Sequence, residues 1–182
     1  VSNFFPITVV NHPMYEGDDV IYSLVKHKHP RDDVEIVSSD TDFIQILNEF
    51  PDNVRLYNPI KKAYRDNTSY DYVAWKAMVG DKTDNIPGVP RIGKKTATKI
   101  LTIPGELEKR KSDLNFNNAF NNSYSLIKLS SIDNDLESIT FSKSLLNADA
   151  IRDLLVPMGF SFACEDSSWD RYIKTFFELE KK

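Results

Sequence analysis

Cysteine is almost absent from this chain. Of 182 residues only Cys164 is cysteine, which excludes an internal disulfide framework and a cysteine zinc cluster. Such usage fits a reducing, cytoplasmic setting. No apolar run approaches the length of a membrane span, and no leader pattern opens the chain. His12, His27 and His29 follow no ligand spacing and read as surface residues. No Ser/His/Asp arrangement surrounds Cys164, so cysteine nucleophilic catalysis is not indicated. There is no internal repeat and no low-complexity tract.

What is present fits a globular protein of one domain, or of a main domain with a small appendage: 41% hydrophobic and 27% charged residues. The net charge of −4 looks unfavourable for nucleic acid, but its distribution reverses that inference. From Glu16 to Asp42 eight acids face three Lys/Arg; from Arg91 to Lys111 seven bases face two acids. An acidic pole and a basic pole therefore cancel in the sum, and bound divalent cations would neutralise the acidic one.

Hydrophobic periodicity predicts a strand over Phe5–Val10 and a helix over Glu16–His27 with Val20, Ile21, Leu24 and Val25 on one face. A strand over Val34–Val37, a helix over Asp42–Glu49 and a strand over Val54–Tyr57 follow. Asn58-Pro59 turns the chain, and Lys61–Arg65 returns as a hairpin. Ser69 is the expected cap of a helix running to Val79. This alternation predicts an α/β sheet with covering helices over residues 1–80. Residues 81–182 read as a helical subdomain, with helices over Lys94–Leu101, Ala148–Met158 and Ser168–Leu179. Trp75 and Trp169 are expected to anchor their helices in the core.

Seven carboxylates fall in three short clusters: Glu16-Gly-Asp18-Asp19, Asp40-Thr-Asp42 and Asp81-Lys-Thr-Asp84. Asp40 follows a strand at its carboxyl end, the edge at which open α/β sheets bind ligands. If the three loops open on one edge, their acids converge, and like charges so gathered call for divalent cations. Hard oxygen donors of this kind suit Mg²⁺ or Mn²⁺. Taken singly, each cluster has a plainer reading, as helix-start acids favoured by the dipole or as a solvated loop. Asp-x-Asp after a strand also opens the haloacid-dehalogenase phosphatases, but Ile44 stands where those carry Thr or Val.

The third cluster runs directly into Asn85-Ile-Pro-Gly88-Val-Pro-Arg91-Ile-Gly93-Lys94-Lys95-Thr96-Ala97. Gly88 and Gly93 permit tight turns, and a helix starting at Lys94 offers N–H groups to a phosphate. Lys94, Lys95 and Lys99 add charge without reading sequence. The bland alternative is a Gly/Pro loop before a basic helix. Lys61, Lys62 and Arg65, interleaved with Tyr57 and Tyr64, could flank a nucleic-acid strand or form a solvated hairpin face. Lys109-Arg110-Lys111 reads as a solvated helix end.

In this order and spacing, the motifs Tyr-Glu16-Gly-Asp18-Asp19-Val-Ile, Ser38-Ser-Asp40-Thr-Asp42-Phe-Ile-Gln and Val-Gly80-Asp81-Lys-Thr-Asp84-Asn-Ile-Pro-Gly88 with the hairpin behind them resemble the 5′-nuclease superfamily. The group comprises flap endonucleases, the 5′-nuclease domain of bacterial DNA polymerase I and phage 5′→3′ exonucleases, and the nearest resemblance is to the RNase H of T-even phages. The resemblance spans residues 15 to 101. It implies a PIN-like parallel sheet followed by a helix-three-turn-helix element. It also implies a metal-dependent 5′→3′ exonuclease or flap endonuclease that removes RNA primers or flaps in lagging-strand replication. Glu16, Asp18, Asp19, Asp40 and Asp42 match acids around a first metal, and Asp81 and Asp84 those of a second. Gly88, Arg91, Gly93, Lys94, Lys95, Thr96 and Lys99, with Lys61 and Lys62, would contact DNA.

Two Mg²⁺, replaceable by Mn²⁺, are the implied cofactors, with K⁺ at the hairpin in some members. The implied substrates are 5′-flap or nicked duplex DNA and RNA–DNA hybrids. Replication partners would be a single-strand-binding protein or a sliding clamp, and the chain is expected to act as a monomer in the cytoplasm, the host's if phage-encoded. The family's first catalytic aspartates and its basic arch precede the strand at which this sequence begins, so an upstream segment is expected to carry them.

Overall fold

A computed structural model describes residues 2–180. The alternation of Val34, Ile36 and exposed neighbours makes β2 (Val34–Val37) a half-buried strand, with β1 (Thr8–Asn11) before it. β2 pairs in parallel with β3 (Val54–Asn58), Ile36 opposite Leu56. Parallel neighbours need a crossover, supplied by α2 (Ile44–Glu49), whose Ile44, Ile46 and Leu47 are buried against the sheet core. β3 then turns into β4 (Ala63–Arg65), antiparallel, with Tyr57 opposite Tyr64. The turn is fixed by buried Asn58, whose Oδ1 accepts from the Lys61 N–H at 2.8 Å.

The chain folds as two compact units: one takes in residues up to Val20 and from Asn134 onward, the other Ile21–Asp133. In the second unit the three-stranded sheet packs on one core. α3 (Tyr72–Val79), α4 (Lys94–Thr102) and α6 (Leu114–Ile127) build a neighbouring core from Ala74, Ala77, Met78, Ala97, Ile100, Phe116 and Phe120. α5 (Glu106–Lys111) joins α4 to α6. Trp75, half-buried, packs against both cores and donates its indole N–H to Thr98 Oγ1 at 3.0 Å, tying α3 to α4. Helix α1 (Gly17–His27) runs across the division between the units. In the first unit α7 (Ala148–Leu155) and α8 (Asp166–Glu180) enclose Ile151, Trp169 and Ile173.

Four expectations are corrected. The strand predicted over Phe5–Val10 is Thr8–Asn11 and does not enter the parallel sheet. It pairs antiparallel with β5 (Thr140–Lys143), a strand in a region read as helical. β5 is exposed along its length, so it lacks the apolar alternation that announces a strand. The cap of α3 is Asp71, whose carboxylate accepts from Ala74 N–H at 2.9 Å, rather than Ser69. The His12 side chain is enclosed beside Asp135 and stacks edge-on with Tyr15, whereas His27 and His29 are exposed and paired with Asp133 and Asp32.

Candidate functional site

The loop after β2 is built by its own acids. The Ser38 N–H extends the ladder to Tyr57 O at 2.9 Å, Asp40 N–H bonds Ser38 Oγ at 3.1 Å, and Asp42 N–H bonds Asp40 Oδ1 at 2.9 Å. Asp40 therefore organises the turn that delivers Asp42 at the carboxyl edge of the sheet. The Asp42 carboxylate accepts from Lys76 Nζ through a short hydrogen bond to Oδ1. The same ammonium lies 2.6 Å from Asp81 Oδ2. The Lys76 side chain is 5% exposed, and those of Asp42 and Asp81 are 15% and 18% exposed.

Lys76 is the residue that sequence reasoning missed. The signal was there: in Tyr72-Val-Ala-Trp-Lys-Ala-Met-Val79 it is the single charge of an otherwise apolar helix. Burial pushes its ammonium down, but its hydrogen bonds to Asp42 and Asp81 outweigh this and hold the lysine well above its ordinary value. The two carboxylates respond differently. Burial drives Asp42 above the usual carboxylate range in spite of Lys76, with Asp40 and Asp81 adding like-charge repulsion. Asp81 is held below that range by Lys76 and by the N–H groups of Thr83 and Asp84.

The Asp81 loop is closed by a two-way backbone bridge to Ile86, at 2.8 and 2.7 Å. Asn85 completes its turn at φ 56°. Asp84 and Lys82 are exposed on this loop. Behind it, Gly80 and Gly88 meet back to back. A Cβ on Gly88 would lie 2.5 Å from Gly80 N, and its φ is +71°. Gly88 thus makes a close backbone approach to the end of α3. Val89 N–H bonds Met78 O at 2.9 Å, which seats the hairpin loop on that helix. Arg91 takes φ 66°, and Gly93 is the extended N-cap of α4 without a side-chain cap. The first turn of α4 carries Lys94, Lys95 and Thr96, all exposed, and Lys99 lies one turn on.

Asp42 and Asp81 are brought together on Lys76, with Asp40 beside Asp42 through the Asp42 backbone N–H and Asp84 beside Asp81 through its own. Glu16, Asp18 and Asp19 lie in the other compact unit, at the start of α1, where Asp18 Oδ1 accepts from the Asp19 N–H at 3.0 Å. Lys61 and Lys62 are exposed on the β3–β4 turn, where Lys61 and Arg65 help line a cleft of ≈ 290 Å³. Among the described residues, no three His, Cys, Asp or Glu side chains are grouped to hold a metal ion. Asp42 and Asp81 nevertheless offer oxygen-only donors converging on one cationic group, a donor chemistry that fits a hard divalent ion. No helix among the described residues is long and apolar enough to cross a membrane.

Comparison with known proteins decides the family. The family described as 5′-3′ exonuclease, C-terminal SAM fold, matches residues 67–158, half of the chain. The chain belongs to the 5′-3′ exonuclease family. DNA polymerase I of Deinococcus radiodurans is 40% identical over 103 residues, covering 53% of this chain and 11% of that protein. The 5′-3′ exonuclease of Aquifex aeolicus is 37% identical over 115 residues, covering 56% of this chain and 38% of that protein. The chain thus spans well under half the length of these relatives. A crystal structure of the T5 D15 protein with metal ions shares the fold. Its TM-score is 0.52 at 19% identity, over 90% of this chain and 59% of that one.

Proposed function

We propose that this chain is part of a metal-dependent, structure-specific 5′→3′ exonuclease and flap endonuclease of the phage type, acting on flapped or nicked DNA and on RNA–DNA hybrids during primer removal. The observation that carries this reading is the convergence of Asp42 and Asp81 on one buried cation, with the Asp81 loop running directly into the turn that ends at the basic start of α4. Residues 1–80 would contribute the PIN-like catalytic part, and residues 81–182 a helix-three-turn-helix grip on duplex DNA. Asp40, Asp42, Asp81 and Asp84 would hold Mg²⁺ or Mn²⁺, and Glu16, Asp18 and Asp19 are proposed as further ligands. Bound divalent ions would supply activation of a water and neutralisation of charge on the phosphodiester.

The chain's own residues then divide the labour. Lys76 holds Asp42 and Asp81 in register before substrate arrives, so the acids are preorganised rather than splayed by repulsion. The first turn of α4, with Lys94 and Lys95, binds a backbone phosphate, and K⁺ at the hairpin would assist it. No side chain here serves as nucleophile.

A second reading is favoured by one observation, the lack of a three-carboxylate group among the described residues. On that reading the chain is a duplex-binding portion whose cleavage needs residues outside it. A single assay separates the two. A 5′-flap DNA is incubated with Mg²⁺, using the chain alone and the chain extended by its natural upstream segment. Cleavage lost on Asp81→Asn and Asp84→Asn supports the nuclease. Binding without cleavage in the extended protein would overturn it.

A further inference from the structure

The basic run Lys109-Arg110-Lys111 does not act as one solvated helix end. Lys111 turns back over the Phe120 ring, its Nζ 4.4 Å from the centroid. Lys109 and Arg110 line clefts instead. A cleft of ≈ 450 Å³ between α4 and α5 is lined by Lys95, Thr96, Lys99, Glu106 and Arg110. A second, of ≈ 670 Å³, lies under the hairpin loop and takes in Arg91, Thr96, Lys109, Arg110 and Asp113. Thr96 and Arg110 line both, so the clefts are contiguous, and five cations, Arg91, Lys95, Lys99, Lys109 and Arg110, face two acids along their length.

Both acids are already engaged. Asp113 caps α6 by accepting from the Phe116 N–H at 2.9 Å. Glu106 accepts from Arg110 Nε at 2.8 Å. That contact engages the guanidinium through its Nε. The side chain is 49% exposed. Glu106 itself is held below the usual carboxylate range, first by Arg110 and then by Lys109 and Lys99, so a concentrated positive field crosses this surface.

We propose that the furrow made by these two clefts, with Arg110 at its middle, seats the phosphate backbone of duplex DNA beyond the hairpin. The proposal rests on the reading of the hairpin as a duplex grip and extends that grip onto α5. The occupant is identified by charge and by the missing aromatics. Single-strand sites stack bases on exposed rings. The furrow's one aromatic, Phe116, is buried and stacked on Phe120. A row of cations without stacking platforms suits a backbone.

The test is fluorescence anisotropy with a fluorescein-labelled DNA duplex, without divalent cations, over a salt series. Each lost phosphate contact lowers the slope of log K against log salt by about 0.9. Arg110→Gln should lower it by about that amount and weaken binding about threefold, while Arg110→Lys restores the slope. Lys109→Gln with Arg110→Gln should roughly double the loss, and Lys111→Gln should change neither quantity. Arg110 is exposed, and a thermal melt of each variant checks that it folds. If Arg110→Gln leaves slope and affinity unchanged while Lys94→Gln, outside both clefts, weakens binding, the furrow is overturned and the hairpin reading stands. If neither Arg110→Gln nor Lys94→Gln has an effect, both readings fall.

Discussion

Lys76 Nζ lies 2.6 Å from Asp81 Oδ2, and through the same ammonium Asp81 is coupled to Asp42 from a separate loop. One buried lysine thus tethers the sheet edge to the loop that begins the hairpin. Lys76→Met should leave two neighbouring carboxylates facing each other without a cation. Breaking a buried pair in this way costs about 3 kcal/mol or more. The loss should show in urea unfolding without divalent ions, and added Mg²⁺ should raise the melting temperature of Lys76→Met more than that of the unsubstituted chain. Equal stability of the two proteins without Mg²⁺ would show that the bridge has no structural weight.

A second contact in the same unit titrates in an accessible range. Tyr22 donates to Glu49 Oε2 at 2.9 Å, and burial, then this carboxylate, push the phenol up to about 12. A raised folded value means that the protonated phenol is favoured by folding. The contribution is therefore complete below the ordinary value of 10 and is lost as pH rises from there to about 12. Tyr22→Phe should cost about 1 kcal/mol at pH 7, and the difference from the unsubstituted chain should vanish at the top of that window. The difference in ultraviolet absorbance between the two proteins isolates the Tyr22 phenolate. A midpoint near 10 would remove the basis of the prediction.

The two hairpin glycines should behave differently. Gly88 sits at φ +71° with its would-be Cβ 2.5 Å from backbone nitrogen of Gly80, whereas Gly93 has φ −100° and open space around it. Gly88→Ala must move backbone on both sides of the loop and should destabilise by about 2 kcal/mol or more. Gly93→Ala should cost no more than about 1 kcal/mol, the ordinary penalty of a weaker N-cap. Duplex binding by Gly93→Ala in the anisotropy assay further tests whether the backbone there must approach phosphate closely.

Much of the second unit was legible because its signals are local. The alternation in Val34–Val37, the apolar spacing through Ile86, Val89, Ala97 and Ile100, and the acids at loop positions each act within a few residues. β1 pairing with β5 was not legible, because Asn11 finds Thr140 across most of the chain and β5 has no buried face to advertise it. Lys76 escaped for another reason. A lysine in a helix is by default solvent-facing, and only the tertiary approach of Asp42 and Asp81 turns it inward.

The start of α3 turns that lesson into a measurement. Ser69 and Asp71 are both cap-forming residue types two positions apart, and composition alone cannot choose between them. The backbone does. Asp71 is extended at φ −60°, ψ 105°, and its carboxylate closes on Ala74 N–H at 2.9 Å, while the Trp75 N–H bonds the Asp71 carbonyl at 3.0 Å. Asp71→Ala should therefore cost about 1 kcal/mol, and Ser69→Ala close to nothing. Because α3 carries Lys76, fraying from its first turn should also loosen the carboxylate tether. Amide exchange of Trp75 and Lys76 should accelerate in Asp71→Ala and stay unchanged in Ser69→Ala. The reverse ranking of the two variants would mean that the helix starts where the sequence alone placed it.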